Sequence, residues 1–225
     1  MWRASVSITS NDPTVRYILP LLIPLFFLEG KLFAQSTDFQ TWNSIAAEKS
    51  FDKKWTVSLE EELRLQDNST RLRSNYLDLD VTYQCSKRFD VTGAFRFIMK
   101  PDELATRLYV DFSYSQPIND WTVKGRIRVQ HEFVPNAQDE NYLRPQLTIE
   151  YRISKKWEPF IEEELFYQLF YYEGDQFNES RTSAGARYKF NKNHSVKMSY
   201  LFEKEFNVND PLTANVVGAS YKYEW

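Results

Sequence analysis

Apolar and polar residues alternate along most of this chain with a period of two. In residues 121–133 the odd positions are Trp, Val, Gly, Ile, Val, His and Phe, while the even positions are Thr, Lys, Arg, Arg, Gln and Glu. Residues 77–85, 89–99 and 217–225 alternate in the same way. A period of two is typical of β-strands with one apolar and one polar face, and helical spacing fits none of these runs. The pattern therefore predicts an all-β chain.

The predicted strands are long, and most of them have 10 to 13 residues. A tilted strand needs about 9–11 residues to cross a bilayer, whereas strands of soluble sheets average about 5–6. Short turns alternate with longer polar loops, which is the layout of outer-membrane barrels. The prediction is a single antiparallel transmembrane β-barrel of about 10–12 strands. The candidate strands are 39–50, 55–66, 73–85, 89–100, 105–116, 121–133, 142–153, 157–169, 181–190, 194–206 and 214–225.

The number of candidate strands is odd, whereas bacterial single-chain barrels have even numbers. We therefore expect 10 or 12 strands. Either the segment near Trp42 is not a full strand, or one strand has been missed or split.

An apolar run at residues 18–28 follows Arg3 and Arg16 and precedes the small residue Ala34. Eleven residues are too few for a transmembrane helix but suit the apolar core of a signal peptide. We expect a signal peptide over residues 1–34 and a mature barrel domain over 35–225 that begins at Gln35. A buried apolar segment of the folded protein is the alternative.

Composition excludes several other classes of protein. Lys and Arg total 28 and Asp and Glu total 31, so the net charge of -3 argues against a nucleic-acid partner. The single cysteine, Cys85, excludes an internal disulfide framework and a cysteine-based metal site. No cofactor is expected.

An aromatic residue follows nearly every short turn, and another ends the chain. Such rings are favoured at a membrane interface, and a soluble sandwich with a Trp-rich core would need a second apolar layer that the charged faces do not supply. We predict an interface girdle of aromatic residues formed by Trp55, Phe89, Trp121, Trp157 and Trp225.

If the apolar set faces lipid, the opposite face fills the lumen with charge. Such charges could form a structural ion-pair network, line a narrow passive pore, or build a binding or catalytic site. Glu61 and Glu163 share the parity of the apolar residues, so they point to lipid unless a bulge turns them inward. The predicted lumen network consists of Glu60, Glu62, Arg64, Arg126, Arg128, Arg152, Glu162, Glu164 and Arg187.

The opening of the mature chain resembles the domain of unknown function 2490 (DUF2490) family. The resemblance rests on Asp38 to Trp42, on Glu48-Lys49, and on residues 53–64, which read KKWTVSLEEELR. It implies an exported protein of the outer membrane, similar to a β-barrel and without an established activity. The terminal Tyr221, Tyr223 and Trp225 resemble the signal read by barrel-assembly machinery, so the implied partners are that machinery and outer-membrane lipid.

Two alternative functions stay open. One is a barrel enzyme acting on lipid or peptide, with carboxylates at the outer rim. However, His131 and His194 lie far apart along the predicted strands, and neither has a Ser or Asp at a sequence spacing that indicates a catalytic pair. The other is a soluble periplasmic all-β binding protein.

Overall fold

The computed structural model describes residues 36–135 and 138–225. The predicted signal peptide, residues 1–34, and the predicted first mature residue, Gln35, lie outside the described residues. Every regular element in the described part is a β-strand, and no helix there is long and apolar enough to cross a membrane. The strands are β1 (Ser36–Phe51), β2 (Trp55–Gln66), β3 (Arg71–Gln84), β4 (Phe89–Lys100), β5 (Glu103–Ile118), β6 (Trp121–Phe133), β7 (Glu140–Tyr151), β8 (Trp157–Leu169), β9 (Gln176–Lys189), β10 (His194–Glu205) and β11 (Leu212–Glu224).

These strands form one closed barrel in which each strand pairs with its neighbours in the sequence. All consecutive pairs are antiparallel, and β1 closes the barrel by pairing with β11 in parallel, from Ser36 opposite Leu212 to Glu48 opposite Glu224. The predicted β-barrel fold is confirmed. The expectation of 10 or 12 strands is wrong, because the parallel pairing lets an odd number of strands close. The segment near Trp42 belongs to a full strand of 16 residues.

The barrel has two different ends. At the turn end lie residues 52–54, 85–88, 119–120, 152–156 and 190–193, together with the end of β11. At the loop end lie residues 67–70, 101–102, 134–139, 170–175 and 206–211, together with the start of β1. Left-handed backbone at Asp52 and Lys53 (φ 49° and 58°) gives the first turn the twist that a tight hairpin needs.

The alternation seen in the sequence divides the wall into an outer and an inner face. On β6, Ile127 and Val129 point outward and are 49% and 45% exposed. The alternate residues Arg128 and Gln130 point inward and are 8% and 4% exposed. The outer face is therefore apolar, and the polar face fills the lumen.

Candidate functional site

The half of the lumen nearest the loop end is packed with side chains. Gln40, Ile98 and Glu203, from three separate strands, are between 0% and 1% exposed. Because these side chains are shielded from solvent, this half of the barrel holds a core of mixed polar and apolar groups.

One side of this core is built on β5 and β6. The Arg128 guanidinium donates two hydrogen bonds of 2.7 Å to the Asp111 carboxylate and lies 3.7 Å from the centre of the Tyr109 ring. The Tyr109 hydroxyl donates to Asp78 and Asp80, at 3.1 and 3.0 Å. Asp78 also pairs with Arg96 at 2.7 Å, so the buried Asp111 and Asp78 carboxylates each have an arginine partner that offsets the cost of desolvation.

A second group of ion pairs centres on Glu164 of β8. Arg144 donates to both carboxylate oxygens, at 3.2 and 2.8 Å, and Arg126 pairs with the same carboxylate. The Arg144 guanidinium also lies 4.0 Å from the ring centre of Phe166. Two arginines therefore share one carboxylate and are packed beside an aromatic ring.

A third group of ion pairs closes the lumen beside β1. Glu203 accepts hydrogen bonds from Arg181 at 2.9 Å and from Arg73 at 3.1 Å. Gln40 accepts from Arg73 at 2.7 Å, and the Arg181 guanidinium lies 5.0 Å from the Trp42 ring. Strands far apart in the sequence thus meet across the lumen.

The structure brings most of the predicted lumen residues into such contacts. Arg64 pairs with Glu62, Glu162 accepts a hydrogen bond from Thr148 at 2.8 Å, and Arg187 lies near two carboxylates. Glu60 is half-buried, and Arg152 is exposed just beyond the end of β7. Further members of the network lie outside the predicted set, although they share the polar parity that could have identified them: Asp78, Arg96, Arg107, Asp111, Glu132, Arg144, Arg181 and Glu203. Arg73 has the parity of the outward-facing Leu77 and Leu79, but it is the extra residue of β3 at the register shift opposite Arg64/Leu65 and pairs with Glu203 in the lumen.

The other half of the lumen, nearest the turn end, contains open space. One cavity of about 360 Å³ lies beside β1 to β4, and another of about 190 Å³ lies beside β6 to β9. Charged side chains line both cavities.

The five residues of the predicted girdle lie at the turn end on the outer face. Trp55, Trp121 and Trp157 are each about half exposed, and each begins a strand. Each faces a tyrosine on the next strand, which makes a polar-tipped aromatic pair suited to an interface. The ring-centre distances are 4.7 Å for Trp55–Tyr83, 4.6 Å for Trp121–Tyr151 and 4.8 Å for Trp157–Tyr188; Phe89 lies opposite Tyr114, and Trp225 stacks on Tyr223 at 5.2 Å.

Glu61 and Glu163 lie on the outer face, since the bulges beside their strands come later, at Arg64/Leu65 and Phe166/Tyr167. Each carboxylate accepts one hydrogen bond from the next strand, from Asn75 at 2.9 Å and from Thr182 at 2.5 Å. These bonds reduce the cost of a carboxylate on an apolar surface.

The partners of His131 come from the neighbouring strand and loop, and the sequence pattern alone does not identify them. Hairpin pairing places Nδ1 of its ring 2.7 Å from Asn141, and Nε2 lies 3.4 Å from the Asp139 carboxylate. Its described contacts include no serine or cysteine nucleophile.

In the loop beside β8, the hydrogen bond with Tyr171 and the charge of Glu173 raise the pKa of Tyr172 to about 12, so its phenol stays neutral.

The described part of the chain shows no cluster of side chains suited to bind a metal ion. Within residues 36–135 and 138–225, no group of three or more His, Cys, Asp and Glu side chains is placed to hold a metal ion.

These features define a closed β-barrel with an apolar outer wall and an ion-paired interior. The chain belongs to the family described as "Protein of unknown function (DUF2490)", whose model matches residues 39–213. The resemblance seen in the opening residues is thereby confirmed. A search of curated proteins finds no match.

Among solved structures, four chains match this fold. One is described as "NanC porin structure in rhombohedral crystal form", with 12% identity and a TM-score of 0.50 over 73% of this chain and 86% of that chain. At this identity the likeness shows the fold alone, which is a porin-like barrel.

Proposed function

We propose that this protein is an outer-membrane β-barrel whose lumen is closed at the loop end, and that its role is structural rather than conductive. The outer face supports the membrane location, because large apolar side chains such as Ile45, Leu79 and Ile161 are about half exposed. Such a surface would be costly in water but is favoured in lipid. A soluble periplasmic protein is disfavoured for the same reason, and the aromatic end of β11 fits delivery by barrel-assembly machinery.

The observation that favours a closed barrel over a narrow pore is the burial of the lumen core. Gln40 and Glu203 are polar and yet 0% and 1% exposed, and they are joined through Arg73. Salt and water could pass only if these hydrogen-bonded groups separated. Separation would leave buried charges without partners, at a cost of about 3–5 kcal/mol for each broken pair.

Conductance of the refolded mature chain in a planar lipid bilayer tests this proposal. We expect no stepwise conductance from the natural sequence. The double variant Arg181→Ala/Glu203→Ala removes one positive and one negative charge together, and leaves Arg73 and Glu179 to balance each other. It should conduct, because it deletes two large side chains from the core.

Heat-modifiable gel migration shows that each preparation has folded, and fractionation of cells tests the location. Long-lived conductance steps from the natural sequence would overturn the closed lumen. Recovery in the soluble periplasmic fraction would overturn the membrane location.

A further inference from the structure

The cavity of about 190 Å³ at the turn end is open to solvent and lies between the ends of four consecutive strands. Its volume equals that of about six water molecules. This basic cleft is lined by the charged side chains Lys124, Glu150, Arg152, Glu158, Arg187 and Lys189.

The basic cleft has an excess of positive charge, since four cations share two carboxylates. Glu150 lies 2.7 Å from Lys124 and 3.7 Å from Arg187. Glu158 lies 2.7 Å from Lys189 and 3.6 Å from Arg187. The lysines are therefore neutralised, whereas the two arginines supply the surplus charge.

The arginine donors are also free to bind a ligand. The distances of 3.6 and 3.7 Å from Arg187 to its carboxylates exceed the range of a hydrogen bond. In the described part of the chain, the exposed Arg152 side chain interacts with Glu158 through charge alone and forms neither a close ion pair nor a hydrogen bond. Two planar guanidinium groups thus face one small cavity with unused donors.

The cavity on the other side of the turn end differs in charge. Lys53 and Lys54 there are matched by Glu48 and Asp90, so its charged lining is balanced. Positive potential at the turn end is therefore concentrated in the basic cleft.

We propose that the basic cleft binds a small anion with two or more phosphoryl or carboxylate groups, which enters from the turn end. Concave walls concentrate the potential of the surplus charge, and each guanidinium can donate two parallel hydrogen bonds to an oxyanion. A single-charged halide would use neither the second arginine nor the paired donors. The inference goes beyond the closed barrel proposed above and requires neither the outer membrane nor conductance.

Calorimetric titration of the refolded mature chain in non-ionic detergent micelles tests the site, with inorganic pyrophosphate and citrate as probes at low salt. We expect saturable binding of one anion per chain, weakened as salt rises. Tighter pyrophosphate binding would assign phosphoryl ligands, and tighter citrate binding would assign carboxylates. The double variant Arg152→Gln/Arg187→Gln should raise the Kd at least tenfold.

The matched control is Lys53→Gln/Lys54→Gln, which removes the same two charges from the balanced cavity and should change the Kd less than twofold. Arg152→Gln alone changes an exposed side chain that forms no close ion pair or hydrogen bond, so it keeps the test valid if the double variant does not fold; it should raise the Kd about threefold. Absence of saturable binding, or equal loss in the arginine and lysine variants, would overturn the proposal.

Discussion

Gly185 of β9 is a single residue on which the fit of the wall depends. A Cβ atom there would clash with the carbonyl oxygen of Met198 and lie 2.9 Å from the Phe160 ring. At Gly93 of β4, a Cβ would meet nothing within 4 Å. Gly185→Ala should therefore lower the free energy of unfolding by roughly 1–3 kcal/mol, since overpacking forces the backbone to shift.

Urea unfolding in lipid vesicles measures this difference, with Gly93→Ala as the matched control. The control should keep the urea midpoint of the natural sequence or raise it slightly. Equal midpoints for the two variants would show that β10 does not approach Gly185 as closely as described.

Arg128 allows a prediction about buried charge. Its guanidinium is bonded to Asp111, and both side chains are about 10% exposed or less. Arg128→Gln leaves Asp111 without its counter-charge and should cost about 3 kcal/mol. Changing Arg126 and Arg128 together to Glu should cost more, because Glu164 and Asp111 would then face like charges.

The same unfolding experiment with Lys53→Glu/Lys54→Glu supplies the control, since those exposed lysines should tolerate reversal with little change. If reversal at positions 126 and 128 leaves the unfolding curve unaltered, the ion pairs of the lumen do not stabilise the barrel.

At the level of the strands, alternation predicts structure well wherever the register is regular. The bounds of β2, β4, β6 and β8 agree with the sequence-based ranges. The start of β9 was missed because a bulge at Phe166/Tyr167 interrupts the alternation over Gln176–Ser180. Alternation of apolar and polar residues stops predicting which face a side chain is on where one extra residue is inserted in the strand.

Residues 53–63 (KKWTVSLEEEL) and 155–165 (KKWEPFIEEEL) are similar in sequence, and the similarity extends to the structure. Each copy lies mostly in one strand, β2 or β8, and the pairing of that strand with the next strand shifts in register just after the copy ends. The bulges at Arg64/Leu65 and Phe166/Tyr167 are 102 residues apart, the same offset as the two lysine-tryptophan turns. The extra residues themselves are Arg73 in β3 and Asn178 in β9, so the similar strands share the place of the register shift while their partner strands supply the inserted residue.

The last strand carries a prediction about insertion. The Trp225 amide donates to the Glu48 carbonyl oxygen at 3.1 Å, and its ring stacks on Tyr223. A ring in this position is favoured at the membrane interface, and it resembles an assembly signal. Trp225→Ser should therefore lower the amount of barrel in the outer membrane far more than it lowers synthesis.

Phe170→Ser is the matched control, because that ring is 75% exposed in a connection at the loop end. Immunoblots of membrane and soluble fractions compare the two variants. Similar insertion of both would remove the role given to the C-terminal ring.

At the level of the whole molecule, the sequence predicts which residues face inward but not which of them meet. Arg73 and Glu203 are 130 residues apart and pair only because the barrel closes. Closure depends on the register between β1 and β11, and alternation within a strand contains no information about that register. The odd number of strands was unexpected for the same reason, since parallel closure is a property of two strand ends.

Orientation in the membrane can be tested at Cys85, the one cysteine of the sequence, which is exposed in a connection at the turn end. Barrels of this kind have short periplasmic turns and longer external loops, so the turn end should face the periplasm. A membrane-impermeant maleimide should label Cys85 only after the outer membrane is permeabilised. In the matched variant Cys85→Ser/Glu173→Cys, the thiol lies at the loop end and should be labelled in intact cells. The reverse pattern would invert the barrel, and equal labelling of both positions in intact cells would show that it does not span the membrane.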